Sequence, residues 1–328
     1  MQPLLTEELS LNQTHAAQLS RFSQYPASSF ILEELGRQMP FLLKATLDAS
    51  CSPIEERLPA LELIGQRLSR LHGNLEKWVS NVVRSYVVLS LEFLKLQRQL
   101  EETGRYLLST EREAKERVYH NEDVFGSYYL SGLLLSEALW PNHYRLGTNF
   151  TESFVPLLPP SARLLEGGVG TGYYLSLLFT HCPGVNYEGF DLSDYAIEFA
   201  QQFAFGRGGT HPNAKFFNCD ITKQLERPQA SYDAIILGEV LEHVEKPDQL
   251  LRELARVARP EAPMFMTTVI FAANIDHIYL FEKADDIRNL ISKTEWRIDR
   301  EWILPIYPDD EPEMEKRPMN YGALLRNG

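Results

Sequence analysis

The sequence predicts an α/β fold, a seven-stranded, mostly parallel sheet preceded by a helical N-terminal half. Three observations predict it. A glycine-rich loop stands at Glu166-x-Gly168-x-Gly170-x-Gly172, strand and helix patterns alternate from about residue 160 onward, and a helical periodicity alone fills the stretch before it. At 328 residues the chain has room for two units. The expected division is a helical cap or oligomerisation domain over 1–150 and a ligand-binding domain over 151–328.

The helical half is carried by its seams. From Leu75 onward, Val79, Val82, Tyr86, Leu89, Phe93, Leu96 and Leu100 recur in alternating steps of three and four, a heptad pattern. Val83, Val87, Val88, Leu91 and Leu94 make the flanks apolar too, so this helix belongs inside a bundle or at a homodimer contact. Further helices are expected over 5–20, 27–48, 54–71, 110–120 and 124–140, with Pro53 opening one and Pro141 following the last. The mixture of aromatic and small residues at 125–132 and 140–145 suits a segment that closes over a ligand, through Tyr128, Tyr129 or Tyr144.

Strands are expected over 163–166, 186–191, 215–218, 232–237 and 263–270, alternating with helices over 172–182, 193–205, 248–258 and 283–292. Short links between such elements imply a parallel sheet covered on both faces, a Rossmann-like arrangement. Two last strands, 296–304 and 320–326, would form a terminal hairpin around the acidic, proline-containing run 308–318.

Composition narrows the function classes. A formal net charge of -13 argues against nucleic-acid and anionic-membrane partners, which need clustered Lys and Arg. Cys51, Cys182 and Cys219 have neither metal-ligand nor redox spacing. Residues 1–20 lack the apolar core of a signal peptide, and the most apolar stretch, 79–96, is interrupted by Arg84, Glu92 and Lys95. A cytoplasmic location is expected, with a small molecule as partner.

Glycines at 168, 170 and 172 let the chain turn sharply and let a ligand approach peptide N–H groups. Asp191 ends the second strand in Gly-Phe-Asp-Leu192-Ser, where a carboxylate can accept both hydroxyls of a ribose. Asp220 and Ile221 follow the third strand, and Asp220 is placed to accept an adenine amino group. The fourth strand runs into Gly238-Glu239-Val-Leu-Glu242-His243-Val. In this order the motifs resemble class I S-adenosylmethionine-dependent methyltransferases. That resemblance covers about half the chain and implies S-adenosylmethionine as cofactor. It puts Glu166, Gly168, Gly170 and Gly172 around the methionine end, Asp191 on the ribose, Asp220 on adenine and the Gly238 backbone on the amino-acid moiety. A nicotinamide dehydrogenase would need Gly-x-Gly-x-x-Gly, and this loop spaces its glycines by two.

Glu239, Glu242 and His243, together with His277 after the fifth strand, make a candidate site for a divalent metal ion. A similar Glu-x-x-Glu-His with a later His occurs in ubiquinone-biosynthesis O-methyltransferases and small-RNA 2′-O-methyltransferases. The same Glu-x-x-Glu-His also occurs in class I enzymes that use no metal. Methyl transfer to a small metabolite, in secondary metabolism, is the expected reaction, with His243 or His277 as acid-base residue and Tyr174 as a further candidate. Two alternatives stay open. The helical half followed by this fold looks like the azetidine-2-carboxylate synthases, in which the cofactor's own amine attacks its γ-carbon and releases methylthioadenosine. The third reading is a non-catalytic S-adenosylmethionine-binding scaffold.

Overall fold

The computed structural model describes residues 20–49, 51–73, 75–307 and 316–328. The expected helix over 5–20 and most of the acidic run 308–318 lie outside these residues.

The N-terminal helices are α1 (Pro26–Gln38), α2 (Pro40–Leu47), α3 (Ile54–His72) and α4 (Leu75–Thr103). The single helix expected over 27–48 is two, because Pro40 has no N–H and restricts Met39, whose ψ of 83° is not helical. In α4 the seam residues Val79, Val82, Tyr86, Leu89, Phe93 and Leu100 are buried as the heptad requires, whereas the flanking Leu91 and Leu94 are exposed. Pro141 does not end the helical half. It opens another helix, α6 (Pro141–Asn149), directly after α5 (Leu130–Leu139), as proline does well at a first helical position.

Between α4 and α5 the chain winds wide. After a short helical turn at Glu111–Ala114, the segments Lys115–Tyr119 and Glu122–Tyr129 bond to the fifth residue back, as in His120 N–H donating to Lys115 O at 2.9 Å. Such wide turns are frequent at functional sites.

The sheet comprises β1 (Arg163–Gly167), β2 (Asn186–Asp191), β3 (Ala214–Asn218), β4 (Ala234–Gly238), β5 (Pro263–Ile270), β6 (Trp296–Pro305) and β7 (Met319–Asn327), in the order β3-β2-β1-β4-β5-β7-β6. β1 to β5 pair in parallel and β7 runs antiparallel between β5 and β6. Helices α7 (Tyr173–His181), α8 (Asp194–Phe205), α9 (Pro247–Val257) and α10 (Ala284–Ile291) follow their strands. One face buries Leu175 and Leu178 against Phe154 and Phe265, the other Leu250, Leu251 and Leu254 against Ile235 and Met264. All five parallel strands end at one edge. The strand order reverses between β1 and β4, and ligands of open sheets bind at that crevice.

The N-terminal helices share a core with this unit. Tyr173 of α7 and Phe203 of α8 pack in one cluster with Ile31, Leu61, Leu68 and Tyr86. Arg67 donates to the carbonyls of Phe203 (3.3 Å) and Ala204 (2.5 Å), satisfying the open end of α8.

Candidate functional site

One pocket of about 250 Å³ opens along this edge, walled on one side by the strand ends and on the other by the N-terminal helices. The glycine loop forms its floor. Gly168, Gly170 and Gly172 have φ of +73°, +47° and +72°, a region costly for other residues. A Cβ on Gly168 would lie 2.7 Å from Val240 Cγ2, and one on Gly172 2.7 Å from Ala200 Cα, so neither position tolerates a side chain. A Cβ on Gly170 would meet only Gly168 O, at 4.0 Å: its open face is a cradle for a ligand. Gly238 is required for a different reason, since its Cβ would press on the Tyr174 ring at 2.7 Å.

Glu166, Asp191 and Asp220 sit at the ends of β1, β2 and β3, all on the pocket wall, with Leu192 and Ile221 beside them. Burial lifts the Glu166 carboxyl to about 8, against the hydrogen bond it accepts from Tyr187 Oη at 2.5 Å. Asp191 ties the loops together, accepting from Gly170 N (3.1 Å) and Ser193 N (2.8 Å), and burial raises its pKa. Asp220 is engaged from across the pocket. Its Oδ2 accepts from Lys115 Nζ at 2.8 Å and its Oδ1 from Thr222 Oγ1 at 2.6 Å. Although burial opposes it, these bonds hold the Asp220 pKa below the usual carboxylate range.

The loops after β4 and β5 carry the second cluster. Glu242 (Oε1 or Oε2), His243 and His277 each bring one ligand atom within 4.8 Å of the others. Glu239 lies outside that trio, its Oε2 accepting from Asn320 Nδ2 at 3.3 Å. Geometry sets both imidazole tautomers. His243 Nδ1 stands 3.1 Å from Asp276 O and His277 Nδ1 2.9 Å from Ala272 O. A carbonyl oxygen carries no proton, so each Nδ1 must donate, which aims Nε2 at the cluster. Burial, then the neighbouring His243, lowers the His277 pKa to about 3, so the ring is neutral with a bare Nε2. Glu242 Oε2 accepts from Thr268 Oγ1 at 2.6 Å, but Oε1 of Glu242 and Oε1 of Glu239 are buried without a donor. Burial pushes the Glu242 pKa well up, and the Glu239 carboxylate beside it pushes further.

Aromatic residues of the wide-wound segment close the pocket from above. Tyr119 lies edge-on to His243, with centroids 6.4 Å apart, while Tyr106, three residues past α4 and behind the pocket wall, lies edge-on to His277 at 5.3 Å. Tyr129 Oη donates to Asp276 Oδ1 at 2.8 Å and accepts from Asn274 Nδ2 at 2.9 Å. Of the three tyrosines expected to face a ligand only Tyr129 lines the pocket. Tyr128 turns to Glu92 and Tyr144 to the carbonyl of Glu56. Tyr174 borders the pocket but is packed between Phe150 and Phe265, with centroids at 5.0 and 5.5 Å. Burial, then the Glu137 and Glu239 carboxyls, holds its hydroxyl far above the usual phenol range, as a neutral donor unsuited to removing a proton.

Lys115, Tyr119, Glu137, His143 and Asp276 also line the pocket. Asp276, one residue before His277, and His143, inside the 140–145 segment, had a nearby signal in the sequence. The others reach the site through the path of the N-terminal helices, which no local motif encodes.

Residues 165–264 match the family model described as a methyltransferase domain. The chain is similar to the biotin biosynthesis bifunctional protein BioHC of Cellvibrio japonicus, at 29% identity over 35% of this chain and 21% of that protein. It is also similar to a ubiquinone biosynthesis O-methyltransferase of Paracidovorax citrulli, at 27% identity over 39% of this chain and 50% of that one. The chain thus spans between a fifth and a half of the length of these curated relatives. Among solved structures, the [4+2]-cyclase SpnF superposes with a TM-score of 0.47 at 18% identity, over 58% of this chain and 81% of that one. Residues 165–264 thus carry a methyltransferase domain, set in a seven-stranded Rossmann-like sheet of order β3-β2-β1-β4-β5-β7-β6.

Proposed function

We propose that the chain transfers the methyl group of S-adenosylmethionine to a small acceptor enclosed between the strand ends and the N-terminal helices, which act as a cap domain over 1–150. The observation that carries this reading is one continuous pocket joining the glycine loop to the Glu242, His243 and His277 cluster. The open face of Gly170 and the carboxyl groups of Glu166, Asp191 and Asp220 fit S-adenosylmethionine. Bound there, it supplies a methyl carbon made electrophilic by its sulfonium. The protein's own part is to hold the acceptor in line with that carbon and to keep water out, which Tyr119, Phe125 and Tyr129 do from above.

The same reading includes a divalent ion at Glu242, His243 and His277. The fit rests on donor chemistry: two imidazoles whose Nδ1 protons are spent on backbone carbonyls, and a buried carboxylate oxygen with no donor. Such an ion would polarise the acceptor's nucleophilic atom. Dialysis against a chelator should reduce turnover at least tenfold, with recovery on adding Mg, Mn or Zn salts. Undiminished turnover would remove the ion from the mechanism.

Product analysis separates the reactions. Incubated with S-adenosylmethionine alone, the protein should leave it intact, and a pool of small metabolites should then yield S-adenosylhomocysteine. Methylthioadenosine with azetidine-2-carboxylate from the cofactor alone would replace methyl transfer by cyclisation. Binding without either product would leave the scaffold reading.

A further inference from the structure

Beyond the Glu242, His243 and His277 cluster the pocket runs on under α4, α5 and α6, where Phe93, Glu137, Trp140 and His143 meet Tyr174 and Glu239. The protons on this wall point away from the cavity. Ser136 Oγ donates to Leu133 O at 2.7 Å, so the contact of His143 Nδ1 with Ser136 Oγ at 3.0 Å needs the imidazole proton. Burial lowers the His143 pKa to about 4, which keeps the ring neutral and leaves Nε2 as an acceptor. Asn320 Nδ2 donates to Glu239 Oε2 at 3.3 Å, and Asn320 Oδ1 accepts from Asn142 Nδ2 at 2.6 Å.

Glu137 is the anomaly. It stands in the last turn of α5, the helix end that disfavours negative charge, and it lines the pocket. Among the described residues neither a hydrogen bond nor an ion pair reaches its carboxyl. Burial, then the Glu239 charge, drives its pKa well up. The lysine on the pocket wall, Lys115, is bonded to Asp220 at the far end. Trp140 and Phe93, with ring centroids 5.4 Å apart, add π faces, which attract cations and not anions. Acceptor atoms, an unpaired carboxyl and aromatic faces together are complementary to a cation with several N–H donors.

We propose that this end of the pocket binds the acceptor through an ammonium or guanidinium group, with Glu137 as its counter-charge once its carboxyl has released its proton to solvent as the cation enters. The proposal rests on the reading that S-adenosylmethionine fills the glycine-loop end, and it narrows the acceptor from any small molecule to a small organic cation. His143 Nε2 and the Glu239 carboxyl accept its remaining N–H groups, and Trp140 covers its apolar stem.

The test is calorimetric titration of the protein saturated with S-adenosylhomocysteine, using 2-phenylethylammonium and n-butylguanidinium as probes and 2-phenylethanol and 1-pentanol as neutral counterparts. At least one cation should bind ten times more tightly than its neutral counterpart, a comparison that needs no variant. Glu137→Gln should remove that preference while S-adenosylhomocysteine affinity stays within twofold. Cations and alcohols binding alike, neither cation binding, or a preference that survives Glu137→Gln would each overturn the proposal. A tenfold loss of S-adenosylhomocysteine affinity in Glu137→Gln would also overturn it, assigning Glu137 to the cofactor's own ammonium. Failure of the wild-type protein to bind S-adenosylhomocysteine at all is a different result, and counts against methyl transfer itself.

Discussion

Asp191→Ala should weaken S-adenosylhomocysteine binding by roughly 100-fold, because two hydrogen bonds to a carboxylate, each at the lower end of about 1.5–3 kcal/mol, amount to about 3 kcal/mol. The position explains the size. Asp191 ends β2 beside the glycine loop, and its two oxygens already hold Gly170 N and Ser193 N, which fixes the carboxylate for a ribose diol. Alanine removes the ligand contacts and the tie between the two loops at once. Asp191→Asn keeps the size but places a donor where acceptors are needed, so it should fall between wild type and alanine. Calorimetric titration measures both. An alanine variant within threefold of wild type would show that the ribose is held elsewhere.

The second large effect is on stability. Arg57 of α3 is fully buried and donates to four carbonyls: Ser52 (3.0 Å), Thr46 (2.6 Å), Ala138 (3.3 Å) and Leu139 (2.5 Å). Burial lowers its pKa to about 10, which still leaves it charged at neutral pH. Its charge lies at the C-terminal ends of α2 and α5, where helix dipoles favour a cation and the last carbonyls lack partners. Arg57→Ala opens a cavity and strands those carbonyls, at about 1–3 kcal/mol for a buried polar group left unmade. A total loss of about 4 kcal/mol is expected, or roughly 8 °C in Tm. Arg57→Lys keeps the charge but cannot reach three directions at once, and should recover less than half of it. Denaturant unfolding followed by circular dichroism reads this directly. A loss under 1 kcal/mol would mean that water replaces the guanidinium at those carbonyls.

The sheet and the loops after β1, β2 and β3 were legible because their signals are local. Glycines at 168, 170 and 172, Asp191 and Asp220 each follow a recognisable apolar strand, and parallel topology brings all strand ends to one edge. Strands 186–191 and 263–270 were located to the residue for the same reason. What failed in the N-terminal half has specific causes. Pro40 splits a helix whose apolar pattern continues across the break, and Pro141 starts one where it reads as a stop. The wide turns at 115–119 and 122–129 keep helical composition while changing which side chains share a face, so Lys115 and Tyr119 gave no warning of their place in the site. In the same way Tyr174, beside the glycine loop in sequence, is held by packing against Phe150 and Phe265, which a linear motif does not contain.

Helix α4 also reaches the loop that carries His277. Gln97 donates to Phe271 O at 3.1 Å and accepts from Ala273 N at 3.0 Å, and Tyr106, three residues past the helix, donates from Oη to Ala272 O at 2.9 Å. Ala272 is the residue whose carbonyl sets the His277 tautomer. The register of a helix in the first third of the chain is thereby transmitted to a ring nitrogen in the last third. The two halves are not exchangeable modules: grafting this sheet onto a different set of helices would release the backbone that aims the imidazole, even with every residue from Ser161 onward unchanged.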